Sequence, residues 1–208
     1  MQVKTRDGKW SDLHYQQGEI GGCCAVYSVA FCMLYEQMID DINALGRSKG
    51  DRLLRELFNK YGMIIDGFNF KNLKTIIEKY KKKSWDVYLF DGTYKPYKQC
   101  VEGICREIDA NRTPIIGIDY KDSVGGHALL AVAYEYDDYY DKPIKIFCLD
   151  PYAPTPRTSI WNSYIDIRDL RKPSTYVNDN SKCGPCKCRV ADYLVFHDTD
   201  WDDDIELD

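Results

Sequence analysis

The amino-acid sequence predicts an α+β fold, with helices first and an antiparallel sheet after them. Two observations carry this. Apolar residues recur at helical spacing through most of the first half, and the spacing then shortens to that of strands. A third is the polar stretch DDYYDKP between two strand-like runs, which reads as a hairpin turn and makes that pair antiparallel. A helical layer packed on an antiparallel sheet satisfies both periods.

Residues 23–40, CCAVYSVAFCMLYEQMID, hold no helix breaker and are apolar on nearly every side, as in a helix buried all round. Residues 51–60 form a short amphipathic helix with Asp51 as N-cap. FNFKNLKTIIEKYKKK follows as a second, apolar at Phe70, Leu73, Ile76, Ile77 and Tyr80. Its lysine run 81–83 suits a solvated helix C-terminus. A third amphipathic helix runs from about Tyr97 to Asn111. Strands are expected at 85–90, 114–120, 127–136, 144–150 and 192–197. Residues 1–198 read as one domain, and 199–208 as an acidic, loosely attached tail.

With 208 residues, the chain can bury a sizeable core. A net charge of −5 argues against a nucleic-acid partner. No apolar run reaches the ~18 residues that a membrane span needs. The polar N-terminus lacks an apolar signal core. Nine cysteines, an odd number scattered through apolar patterns, fit a reducing compartment rather than a disulfide scaffold. The expected location is cytoplasmic as synthesised, with export by a route that leaves no classical signal still compatible.

One stretch, QGEIGGCCAVYS at 17–28, carries chemistry. Gly21 and Gly22 allow a sharp turn into the helix. Cys23 then stands at the helix N-terminus, where the dipole and unpaired N–H groups favour a thiolate. Gln17 offers a side-chain donor just upstream, suited to a developing oxyanion. A cysteine in an apolar helix is more often a small core residue, but a base is also in place. His127 opens a continuously apolar strand after a double glycine, in SVGGHALLAVAYE. If 127–136 and 144–149 form a hairpin, Asp150 at the end of IKIFCLDP lies beside His127 and can orient its imidazole.

QGEIGGCCA resembles the active-site loop of the papain-like cysteine peptidases, and GGHALLAVAYE is similar to their histidine strand. The LDP ending looks like the bacterial branch, which includes the staphopain-like enzymes and the double-glycine leader peptidases. The resemblance spans roughly residues 15–152. It implies a papain-like fold, its nucleophile helix buried in an N-terminal helical layer on an antiparallel sheet. It also implies Cys23 as nucleophile, His127 as general base and acid, Asp150 as orienting residue, and Gln17 with the Cys23 N–H as oxyanion hole. The sequence departs from the pattern in having Ile20, Gly22 and Cys24, and the Cys23-to-His127 spacing of 127 − 23 = 104 residues is short beside ~130–150. Cys24 and Gln16 stay as rivals one register away, and Asn162 as a weaker rival to Asp150.

The expected activity is hydrolysis of a peptide or amide bond in a peptide or protein substrate, through an acyl-enzyme thioester. A deamidase, transferase or isopeptidase acting on a partner protein would use the same residues. A non-catalytic binding module is the reading from a different class. No cofactor is expected. Cys183, Cys186 and Cys188 could bind a structural zinc with His197, but their spacing matches no standard finger. His14 is expected at the surface.

Overall fold

The computed structural model describes residues 2–5, 8–17, 22–61, 69–93, 95–179 and 184–199. The expected acidic tail thus falls outside the described residues, apart from Thr199. No helix among those described is long and apolar enough to cross a membrane.

A short hairpin, β1 (Gln2–Lys4) and β2 (Trp10–Asp12), opens the chain. Then come α1 (Cys24–Tyr35), α2 (Lys49–Tyr61) and α3 (Phe70–Tyr80). Strand β3 (Trp85–Asp91) leads to α4 (Tyr97–Asp109). The remaining strands are β4 (Ile115–Tyr120), β5 (Gly126–Asp137), β6 (Lys142–Leu149), β7 (Ser163–Asp166), β8 (Ser174–Asn178) and β9 (Cys186–Asp198).

Local chemistry sets the helix starts. Asn69 caps α3 by accepting from the Lys71 N–H at 2.7 Å. At α2 the cap is not Asp51 alone. Ser48 Oγ accepts from the Asp51 N–H at 3.0 Å, and the Asp51 carboxylate accepts from the Ser48 N–H at 2.8 Å. That is a reciprocal capping box, which starts the helix earlier than Asp51.

The expected papain-like architecture, a helical layer packed on an antiparallel sheet, is overturned. Strands β4 to β9 close into a six-stranded antiparallel barrel. Order around it is β9-β4-β5-β6-β7-β8, with β8 returning to β9, and β3 lies outside the ring against β9. Two strands absent from the expectation, β7 and β8, make the difference. They are four and five residues long, too short to stand out by alternation alone. Strand β9 is also longer than expected, and its early residues, 186–188, receive β8 while its later ones pair with β3 and β4. Closure pairs the ring's own edges with each other, and among the described strands β3 pairs with β9 alone.

Alternation along the strands feeds two cores. Ile115, Ala128, Leu130, Leu194 and Phe196 face α1, α2 and α3. Ile116, Leu129, Ala131, Tyr193 and Val195 join Cys100, Val101 and Ile104 of α4 in the other. The first core holds α1 so completely that nearly every residue from Cys24 to Leu34 is buried. This fixes the N-terminus of α1 against the start of β5.

Candidate functional site

The N-terminus of α1 meets the first residues of β5. Gly22 takes a φ of +89°, a left-handed conformation that few other residues adopt without strain, and turns the chain into α1. Cys23 is the N-cap and makes no side-chain cap bond. Cys24 is the first residue inside the helix.

The thiol paired with His127 is that of Cys24, one residue later than the expected Cys23. Its Sγ accepts from the Ala128 N–H at 3.4 Å, and the neighbouring His127 ring favours its thiolate. Helix geometry explains the register. Cys24, Ser28 and Cys32 recur at i, i+4, i+8 and share the face that looks at the barrel. Ser28 Oγ donates to Ala128 O at 3.2 Å, and Cys32 Sγ to Phe196 O at 3.1 Å. Cys23, outside the helical repeat, lies instead close enough to Tyr27 to act on its charge. The stripe of small polar residues was the sequence signal for the register.

Burial opposes ionisation of both thiols. For Cys24, the His127 hydrogen bond and charge, with the Ala128 and Ala25 N–H groups, outweigh burial and hold the thiol below the usual range. For Cys23, burial and the neighbouring Cys24 push the thiol up. The surroundings thus favour the thiolate at Cys24 and disfavour it at Cys23.

Strands β5 and β6 pair as the hairpin expected, with Leu130 opposite Leu149. Asp150 follows β6 directly and lies beside His127. His127 Nε2 donates to Asp150 Oδ1 at 2.6 Å, which leaves Nδ1 to meet Cys24. Burial would discharge this imidazole, but the Asp150 charge and hydrogen bond, followed by those of Cys24, raise its pKa. Asp150 is wholly buried. The burial is offset first by the His127 charge, so its carboxyl stays below the ordinary range.

Asp150 is held on every side. Its Oδ1 also accepts from the Tyr152 N–H at 2.8 Å, an Asx turn. Its Oδ2 accepts from Tyr176 Oη–H and from Asn178 Nδ2 at 3.3 Å. Asn162, the rival third member, does not take the carboxylate's place. Its Oδ1 accepts from the Asp150 N–H at 2.7 Å, and its Nδ2 donates to Asp150 O at 3.0 Å.

His14, expected at the surface, is buried and joins this brace. Its Nε2 faces Asp150 O at 2.8 Å, and an atom facing a carbonyl must donate. Nδ1 then accepts from Thr155 Oγ1 at 3.0 Å. Burial lowers the pKa of His14, which favours the neutral ring. Its ring also packs on Phe31 of α1 at 5.0 Å.

Gln17, three residues after His14, is also buried. Its N–H donates to Pro151 O at 2.7 Å, and its Oε1 has no hydrogen-bond partner among the described residues. Gln16 is exposed and donates to Tyr152 O at 3.3 Å. The residues that join Gln17 to Gly22 lie outside those described.

A cavity of about 390 Å³ opens beside Cys24 and His127, within the size range of ligand sites. Ala25, Phe70 and Gly117 line it, as do two carboxylates, Asp119 and Asp192.

The zinc cluster does not form among the described residues, where no group of three metal-ligating side chains comes together. Cys183 lies outside them. Cys186 and Cys188 stand in β9, and burial pushes the Cys188 thiol up to about 12. His197 instead pairs with Glu36, Nδ1 to Oε2 at 2.6 Å, deep under the far end of α1.

No known protein-family model matches the sequence, and no curated protein matches it.

Proposed function

We propose that this chain is a cysteine hydrolase that cleaves a peptide or amide bond, with Cys24 as nucleophile, His127 as general base and acid, and Asp150 as the group that orients His127. The observation that carries this reading is the Cys24 thiol at the start of β5, on the same cavity as a His127 ring that is bonded at 2.6 Å to the buried Asp150 carboxylate. A buried carboxylate with this many donors is costly to build for packing alone. Placed behind an imidazole that meets a thiol beside a cavity, it has a chemical purpose.

The Cys24 thiolate attacks the substrate carbonyl carbon and forms the C–S bond. The uncapped N-terminus of α1 aims N–H groups at the charge that develops on the oxygen. His127 gives its proton to the departing amine as the C–N bond breaks. Water then attacks the thioester while His127 takes a proton from it. The C–S bond breaks, and the acid and the thiolate are restored.

The test is alkylation by iodoacetamide at pH ~5.5 with peptide mapping, on wild type and His127→Ala. Cys24 is expected to label ahead of every other cysteine in wild type, and to lose that lead in the variant. Fast labelling of Cys23 in place of Cys24 would move the nucleophile back one residue. If no cysteine leads, the catalytic reading fails.

A further inference from the structure

The cavity beside Cys24 carries more information than its size. Resting on the cysteine hydrolase reading, we propose that this cleft selects substrates with a cationic side chain, lysine or arginine, next to the bond that is cut, and that Asp192 and Asp119 determine that specificity.

The backbone places Asp192 there deliberately. Strands β4 and β9 pair regularly from Ile115 to Gly117, opposite Leu194 to Asp192. The register then slips, so that Ile118 pairs with Val190 and Ala191 is the extra residue. A bulge of this kind re-aims the side chains around it. Both Ala191 and Asp192 then line the cavity, although consecutive strand residues ordinarily point to opposite faces. Gly117 completes the arrangement. A Cβ at that position would stand 2.2 Å from Asp192 Oδ1, so a side chain there would displace the carboxylate from this position. Asp119 stands on the other side, opposite Gly126 and adjacent in the ladder to the Ile118–His127 pair.

Neither carboxylate has a hydrogen-bond or ion-pair partner among the described residues. Lys71, the cation that acts on Asp192, forms its ion pair with Asp91 at 2.7 Å. Burial and the like charges of Asp119 and Asp91 push the Asp192 carboxyl up to about 6. Two carboxylates that repel each other in a cleft are relieved by a cation between them. The cleft wall also offers Ala25 and Phe70, apolar surface that suits the methylene stem of a long basic side chain. The cleft itself is identified by the nucleophile and base that border it, independently of these acids.

The probes are tripeptide chloromethyl ketones, from which the Cys24 thiolate displaces chloride to form a thioether. Ala-Ala-Lys is matched against Ala-Ala-norleucine, and Ala-Lys-Ala against Ala-norleucine-Ala, so that charge varies and chain shape does not. The second-order rate of Cys24 modification is read by intact mass and peptide mapping at pH 7.5. In one of the two positions, the lysine probe is expected to react on the order of tenfold faster than its partner. Asp192→Asn and Asp119→Asn should each shrink that ratio, and the double variant should abolish it. The ratio is read within each variant, so a change in the norleucine rate cancels, and far-UV circular dichroism with iodoacetamide labelling of Cys24 shows that each variant is folded with its nucleophile present. Equal lysine and norleucine rates at both positions in wild type, with Cys24 labelled, overturn the specificity and leave the hydrolase reading standing. A lysine preference that survives the double variant overturns the assignment to these residues. Failure of iodoacetamide and of every probe to select Cys24 overturns both.

Discussion

Asp150 shows how much a single side chain can organise. It follows β6, is wholly buried, and takes its charge balance from His127. Asp150→Asn would keep the shape and remove the charge. The sign of the effect follows from the two shifts. Asp150 raises the pKa of His127, and the imidazolium that results lowers that of Cys24. The reactive ion pair exists between those limits. Without the carboxylate charge the upper limit falls and the lower limit rises, so the window narrows from both sides. The alkylation rate at pH ~5.5 should drop on the order of 10²-fold or more. A pH–rate profile for iodoacetamide measures it, and a variant profile that overlays the wild type would refute the role. The pairing of Asp150 with His127 was legible in the sequence, because a hairpin with a polar turn returns one strand end to the other's start. The placing of Cys24, rather than Cys23, beside His127 was legible only through the Cys24–Ser28–Cys32 spacing. The count from Gln17 pointed one residue early, because that count assumes a loop of fixed length.

At the scale of elements, the helices follow their periodicity closely, and what periodicity cannot report is what each helix touches. Helix α4 shows the difference. Gly103 sits in its middle, where a change to alanine ordinarily stabilises by about 1 kcal/mol. Here a Cβ would come within 2.3 Å of Tyr193 Oη and 2.9 Å of Tyr193 Cζ. Tyr193 is fully buried, stacks on Phe90 at 5.0 Å, and hydrogen-bonds to Tyr88, so it has little freedom to give way. Overpacking, worth about 1–3 kcal/mol, should win over propensity. Gly103→Ala is therefore expected to lower stability in chemical denaturation, with Cys24 reactivity kept. A stabilised variant would show that Tyr193 can move. The same distinction applies to α1. Its all-round apolar sequence announced burial, but not that the buried face would set a thiol against β5.

For the whole molecule, barrel closure has a chemical consequence. Strand β8 pairs with β7 on one side and β9 on the other, and it carries Tyr176 and Asn178 to the Asp150 carboxylate. An open sheet would leave Oδ2 of a buried charge without these donors. Tyr176→Phe removes one of them while keeping the ring, whose centroid lies 6.2 Å from that of His127. A hydrogen bond to a buried charged group is worth about 1.5–3 kcal/mol. The variant should lose stability of that order in denaturant titration, and Cys24 should also alkylate more slowly at pH ~5.5. Lost stability with an unchanged alkylation rate would make Tyr176 a packing residue only.

The sequence by itself determined the local elements and brought His127 and Asp150 together. Helical and strand periods are properties of neighbouring residues, and a cysteine at a helix start, a histidine at a strand start and an aspartate after a hairpin are all readable within short windows. Tertiary structure alone decided closure of the barrel, burial of His14 against Asp150, and the placing of Asp119 and Asp192 on one cavity. Each joins residues far apart in the chain. His14 and Asp150 are 136 residues apart, for example, and nothing local in either segment encodes the other. The short β7 and β8 carry too few residues for alternation to be seen, yet their pairing sets the topology. Local pattern is encoded in side chains that are sequence neighbours, whereas closure depends on which distant backbone edges satisfy one another's hydrogen bonds.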